Sequence, residues 1–162
     1  MNLPIKIIIL ACLSTLCFSQ NFAPNVSPKG KTVISKNLGK ITAKVIFYTS
    51  ETNIDLDKRP KKYTQCTYSR KPCVLIDFVE ISISEKEVFV PNSAFMDLGD
   101  IARADWSTSK EGIILTITGG DASESYIAVY KIQNMRIVER RLFAGEDTSQ
   151  PLQITKYFIV RT

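Results

Sequence analysis

The sequence predicts an all-β chain: a mostly antiparallel meander of about seven to eight strands, forming a curled sheet, a barrel or a two-layer sandwich, with at most a short helix. Three observations predict it. Residues 113–118, 125–133 and 136–143 are rich in β-branched and aromatic side chains, which suit a pleated sheet with one packed face. The breaks between them, Gly119-Gly120-Asp121 and Asn134, are short enough to force antiparallel pairing of chain neighbours. Residues 40–49 alternate strictly, with Ile41, Ala43, Val45 and Phe47 on a core-facing side and Thr42, Lys44, Ile46 and Tyr48 on the other. The 162 residues suffice for one domain with a hydrophobic core, and they contain no heptads, internal repeats or low-complexity tracts.

In chain order, residues 1–19 read as a signal peptide. A positive start through Lys6 precedes a mostly apolar run, 7–16, and Cys17-Phe18-Ser19 ends in the small residue that cleavage before Gln20 requires. A buried N-terminal strand or helix is the structural alternative. Ile9-Leu10-Ala11-Cys12 also loosely resembles a lipobox, which would place a lipid anchor at Cys12. No stretch approaches the ~20 apolar residues of a membrane-spanning helix. The expected location is periplasmic or secreted. Residues 20–38, with Pro24, Pro28 and Gly30 and no sustained periodicity, read as a flexible N-terminal arm, and residues 39–162 as a single β domain.

After the first strand, residues 50–62 are polar and basic, and Pro60 disfavours a central strand there. Residues 74–83 read as a strand, bent where the alternation changes near Phe78. Ser84-Glu85-Lys86-Glu87 turns it into Val88-Phe89-Val90, which stops at Pro91. Residues 92–105 read as a connection holding one helical turn, with Asn92 or Ser93 as cap and Phe95, Leu98 and Ile101 on one side. Trp106 follows as a packing residue. The last strand, 152–160, carries bulky apolar residues on both faces and is expected to be covered on both.

Cleavage at Ser19 would leave Cys66 and Cys73, which in an oxidising compartment are expected to form a disulfide stabilising by about 2–3 kcal/mol. The spacing matches neither a zinc site nor a Cys-x-x-Cys redox pair. The formal charge of +5, less one for Lys6, is concentrated in residues 58–62 with Arg70 and Lys71, and in Arg136, Arg140 and Arg141. Such patches attract acidic protein surfaces, anionic lipid or polyanionic wall material, whereas export disfavours nucleic acid. A solvated loop is the structural alternative.

The chain has no histidine, so a hydrolase triad is excluded, and a disulfide would leave no thiol nucleophile. Carboxylate pairs at Asp97/Asp100 and Asp121/Glu124 are too ordinary to indicate an acid/base pair or calcium. Gly119-Gly120 lacks the spacing of a phosphate loop. The reading is therefore of a protein that is not an enzyme, with no cofactor and no metal.

Residues 119–126 form the locally unusual stretch, first of all a structural turn. Read functionally, Asp121, Ser123, Glu124 and Tyr126 form a rigid recognition loop beside Arg136 and Arg140, with Lys61 and Arg70 of the basic cysteine loop completing a protein-binding surface. The alternative is a barrel-type carrier of a small hydrophobic ligand, with Trp106, Tyr126 and Tyr130 near its cavity. The export signal, the hairpin over 81–94 with its Val-Phe-Val-Pro-Asn-Ser-Ala run, and the 119–126 turn leading to Arg136-Ile137-Val138-Glu139-Arg140-Arg141 together resemble small exported bacterial all-β proteins, some of them immunity proteins or inhibitors. The resemblance spans roughly 81–157 and implies a protein partner in the cell envelope. The Ser-Gly-x-x-Tyr motif of periplasmic lysozyme inhibitors is absent.

Overall fold

The computed structural model describes residues 23–53, 66–67 and 71–158. Among them nine strands form two antiparallel meanders stacked as a sandwich. One sheet has the order β1 (Gly30–Leu38), β2 (Ile41–Thr52), β3 (Cys73–Ile83), β4 (Lys86–Glu87). The other is β5 (Ile101–Ser109), β6 (Gly112–Gly119), β7 (Tyr126–Gln133), β8 (Arg136–Ala144), β9 (Gln153–Lys156). The all-β, mostly antiparallel reading holds, and the only helical pieces are 3-10 turns at Asn92–Ala94 and Ala122–Glu124.

The expected alternation builds the core. Ala43, Val45 and Phe47 of β2 and Val79, Ile81 and Ile83 of β3 pack with Trp106, Leu115, Ile117 and Tyr130 of the second sheet in one cluster. The bend near Phe78 is a bulge: Tyr48 pairs with Phe78 but Thr49 pairs with Ile76, so Asp77 is the extra residue and the buried parity shifts from Val74 to Val79. Hairpins β3–β4 and β7–β8 turn through residue pairs in the left-handed region, Ser84-Glu85 (φ 46° and 68°) and Asn134-Met135 (φ 51° and 56°). This is the turn geometry that matches strand twist.

Four expectations are corrected. Residues 30–38 are not an arm but strand β1, paired with β2 from Gly30↔Thr49 to Leu38↔Ile41. It reads as aperiodic because a sandwich margin needs few inward apolar residues, and of this strand Ile34 alone is buried. The connection expected over 92–105 ends earlier, at Asp100. Asp105 and Trp106 belong to β5, where Ala104 and Trp106 point inward and Arg103 and Asp105 alternate with them. The final strand is shorter than 152–160 and is not covered on both sides. β9 pairs only with β8 among the described residues, and Leu152, Ile154 and Phe158 are exposed. Neither sheet closes on itself among the described residues, so the barrel option gives way to the sandwich.

Short crossings stitch the sheets together at their margins. Val26 donates to the Ala102 carbonyl and Ala104 to that of Pro24, which brings the stretch before β1 against β5. At another margin Val88 still donates to Ile81 of β3, while the next residue, Phe89, bridges Arg136 of β8. The segment that follows Phe89 holds the candidate site.

Candidate functional site

Pro91 ends the extended run, and Asn92–Ala94 makes one 3-10 turn whose next residues dive into the core. Phe95 stacks on Tyr130 with ring centroids 4.5 Å apart, and Leu98 is buried beside it. Two donors from the second sheet fasten the turn. The Tyr130 hydroxyl donates to the Ala94 carbonyl at 2.7 Å, and Arg140 donates to the same oxygen at 3.4 Å and bidentately to Asp97, 2.6 Å on each arm. Burial works against the Arg140 charge, but the Asp97 hydrogen bonds prevail and its pKa is raised. Burial pushes the Tyr130 phenol well above its ordinary value.

This anchored segment leaves two hollows that share Pro91. One, of about 420 Å³, is a slot between β3 and the segment, lined by residues that include Ile76, Phe78, Val79, Val90, Phe95 and Met96. Outward backbone groups of β3 are occupied at Val74 by Asp100 and at Ile81 by Val88. Leu75 also bridges Gly99, and from Asp77 to Glu80 no backbone hydrogen bond among the described residues joins β3 to the segment. The other hollow, of about 260 Å³, lies between Phe89, Arg136, Ile137, Lys156, Tyr157 and Phe158. Phe78, Met96, Phe89 and Phe158 are 54, 68, 63 and 82% exposed, so large apolar side chains rim both hollows. The Arg136 Nε and the Tyr157 hydroxyl are buried atoms without a hydrogen-bond partner among the described residues. Burial raises the Tyr157 pKa, and the nearby Arg140 guanidinium offsets part of that effect.

The recognition surface expected from the sequence is not assembled as such. Asp121, Ser123, Glu124 and Tyr126 sit where β7 begins, because Tyr126 pairs with Ala144. Arg136 pairs with Gln133 at the other end of that hairpin, about 23 Å of strand away. Arg140 is 2% exposed and points into the sandwich, taken up by Asp97. The β7–β8 register shift near Val138 turns it inward, a change no alternation pattern announces. Lys61 and Arg70, and the signal segment with Cys12, lie outside the described residues.

The 119–126 turn is built by close approach. Gly120 has φ +76°, and a Cβ there would strike the Glu124 carbonyl, while at Gly119 it would meet the Tyr126 ring and the Asp100 carbonyl. The Tyr126 hydroxyl lies across Gly119 and donates to the Gly99 carbonyl at 2.9 Å. The carrier alternative fares no better than the expected surface. Trp106 and Tyr130 are fully buried within the packed cluster, with the Trp106 indole N–H directed to the Ile34 carbonyl at 3.4 Å.

The Cys66–Cys73 disulfide is present, with Cα atoms 5.6 Å apart. Beside it lies a group the sequence reading missed as such, the fully buried Asp100. One carboxylate oxygen accepts from the Thr67 N–H and hydroxyl, each at 2.8 Å, and the other from the Val74 N–H at 2.9 Å. Thr67 and Val74 directly follow the two cysteines, so the carboxylate and the disulfide hold the same two points of chain. No group of three or more metal-ligating side chains occurs among the described residues. No protein-family model, curated protein or solved structure matches the chain.

Proposed function

We propose that this chain is an exported, non-catalytic protein-binding module, of the inhibitor or immunity kind, whose contact surface is the apolar ground around Pro91. One observation carries the reading: Phe78, Phe89, Met96 and Phe158 stand exposed around two adjoining hollows, while the interior is filled by its own side chains. Large apolar groups gathered on one surface mark interaction sites, whereas singly scattered ones do not. The vacant stretch of β3 edge beside the slot suits an extended segment of the partner, which would add to the sheet through backbone hydrogen bonds. The lack of histidine in the sequence is in keeping with binding rather than acid/base chemistry.

The test is retention of an envelope protein by the immobilised chain and by its F89S/M96S variant. Both side chains project outward, so the variant keeps its unfolding midpoint. The expected result is one specific partner held by the original chain and lost by the variant. Equal retention by both, or by neither, overturns the proposal.

A further inference from the structure

From the hollow beside β8 and β9 we infer that the partner is held by its C-terminus: the pocket formed by Phe89, Arg136, Ile137, Tyr157 and Phe158 accepts an apolar terminal residue together with its free carboxylate. This rests on the protein-binding reading and names the chemistry that the partner must present.

The two arginines of β8 make the case by contrast. Arg140 has its two terminal nitrogens on Asp97. Arg136 lines the pocket with no carboxylate partner among the described residues, and its Nε is buried there without an acceptor. Among the described residues the only other buried side-chain polar atoms lacking a partner are the Tyr157 hydroxyl, in the wall of the same pocket, and the Arg140 Nε, on the neighbouring guanidinium. Buried donors in folded proteins are nearly always satisfied. Two of these three, the Arg136 Nε and the Tyr157 hydroxyl, belong to residues that line this pocket, whereas the Arg140 guanidinium lies outside its lining, against Tyr157. Lys156 at the rim adds a second cation. It stands opposite Glu139 in the strand register, but the Glu139 carboxylate engages Arg141 at 2.8 Å and Lys131 at 3.9 Å.

The remaining walls decide which anion. Phe89, Pro91, Ile137 and Phe158 are apolar, so a compact, highly charged ion would lose hydration on most sides without compensation. A carboxylate joined to an aliphatic side chain meets both kinds of wall, with arginine as its matching fork. The volume, about 260 Å³, is that of roughly one amino-acid residue with its terminal group. Pro91 borders both hollows, so a strand laid along the free β3 edge would bring its end to this pocket.

The experiment is an NMR titration of the purified protein with the acetylated peptide Thr-Ile-Val-Leu carrying a free C-terminus. It is repeated with the same peptide amidated, with an amidated peptide bearing an internal glutamate, and with N-acetylleucine. The free-acid peptide is expected to shift the amide signals of Phe89, Arg136, Ile137 and Tyr157, and amidation to weaken binding about tenfold or more, the scale of a lost charge-assisted hydrogen bond. R136Q, which removes a side chain that makes no ion pair among the described residues, should abolish the preference for the free acid. Tighter binding of the internal glutamate peptide, or of N-acetylleucine, would replace the terminus with an acidic side chain or a small organic acid and overturn the inference. So would equal binding of acid and amide, persistence of the preference in R136Q, or shifts confined elsewhere. If R136Q retains the envelope partner as well as the original chain does while F89S/M96S loses it, the pocket inference fails and the protein-binding reading stands.

Discussion

Replacing Asp100 with alanine should destabilise this protein more than removing its disulfide. The Asp100 carboxylate, fully buried, accepts from two backbone N–H groups, of Thr67 and Val74, and from the Thr67 hydroxyl. The hydroxyl can turn to another acceptor, but the two N–H groups cannot, and each buried donor left unpaired costs about 1–3 kcal/mol. Asp100 also sits at φ 50°, a conformation aspartate tolerates and alanine adopts at a cost of about 1–2 kcal/mol. Together these give roughly 3–8 kcal/mol for D100A. Loop-closure entropy gives about 2–3 kcal/mol for C66S/C73S, whose cysteines are separated by 7 in sequence. Asparagine keeps the backbone tolerance and one acceptor oxygen, so D100N should fall between alanine and the original. The triple variant should lose less than the sum, because carboxylate and disulfide restrain the same two residues. Urea unfolding followed by Trp106 emission reads all four variants against the original, since this lone tryptophan passes from complete burial to water. A loss under about 1 kcal/mol for D100A, or strict additivity with the cysteine pair, would refute the clamp.

The Asp97–Arg140 pair should respond asymmetrically. D97N strands a buried guanidinium and should cost about 3–5 kcal/mol, whereas the D97L/R140M double change, which removes both partners, should cost clearly less in the same unfolding assay. Alkaline stability should fall. Burial holds the Tyr130 and Tyr157 phenols protonated in the folded state, so the stability they contribute is complete below the unfolded phenol value of about 10 and lost as pH rises toward their folded values. Urea midpoints that stay flat above that pH would contradict it. G119A should cost about 1–3 kcal/mol by crowding Tyr126 and the Asp100 carbonyl, which lies 2.9 Å from the added carbon. In a Y126A background the penalty should shrink without vanishing, as differential scanning calorimetry can show.

The legible parts of this fold are those where local chemistry and tertiary burial agree. Strand β2 alternates because one of its faces is core, and β6 to β8 announce themselves by β-branched runs and tight turns. Even the β3 bulge was visible, since one extra residue reverses the alternation at Phe78. Strand β1 was hidden because its side chains are mostly exposed. The start of β5 was hidden because the small Ala104 is a weak apolar signal between Arg103 and Asp105. The site was less legible than the fold. Arg140 and Asp97 lie 43 residues apart, so a charge that points inward cannot be told from a surface one until its partner is placed. Likewise nothing local sets Phe89 and Met96 apart from Phe95 and Leu98, and only the early departure of the chain from β3 leaves the first two on the surface.

Each sheet is made from one stretch of chain, residues 30–87 and then 101–156, with every ladder among the described residues formed between successive strands. Such pairings close short loops, so each meander can assemble from local hairpins without waiting for distant chain, which favours rapid folding for an all-β protein. A polypeptide emerging N-terminus first would have its β1–β4 meander available before β9 arrives. The contacts that must wait are those between the halves: Lys36 to Asp105 at 2.8 Å, the Trp106 indole to Ile34, and Val26 to Ala102. Since Trp106 belongs to that late set, its fluorescence after a refolding jump reports the docking of two preformed halves, while far-ultraviolet dichroism reports the hairpins. The lag between the two signals measures how long the molecule exists as two unjoined sheets.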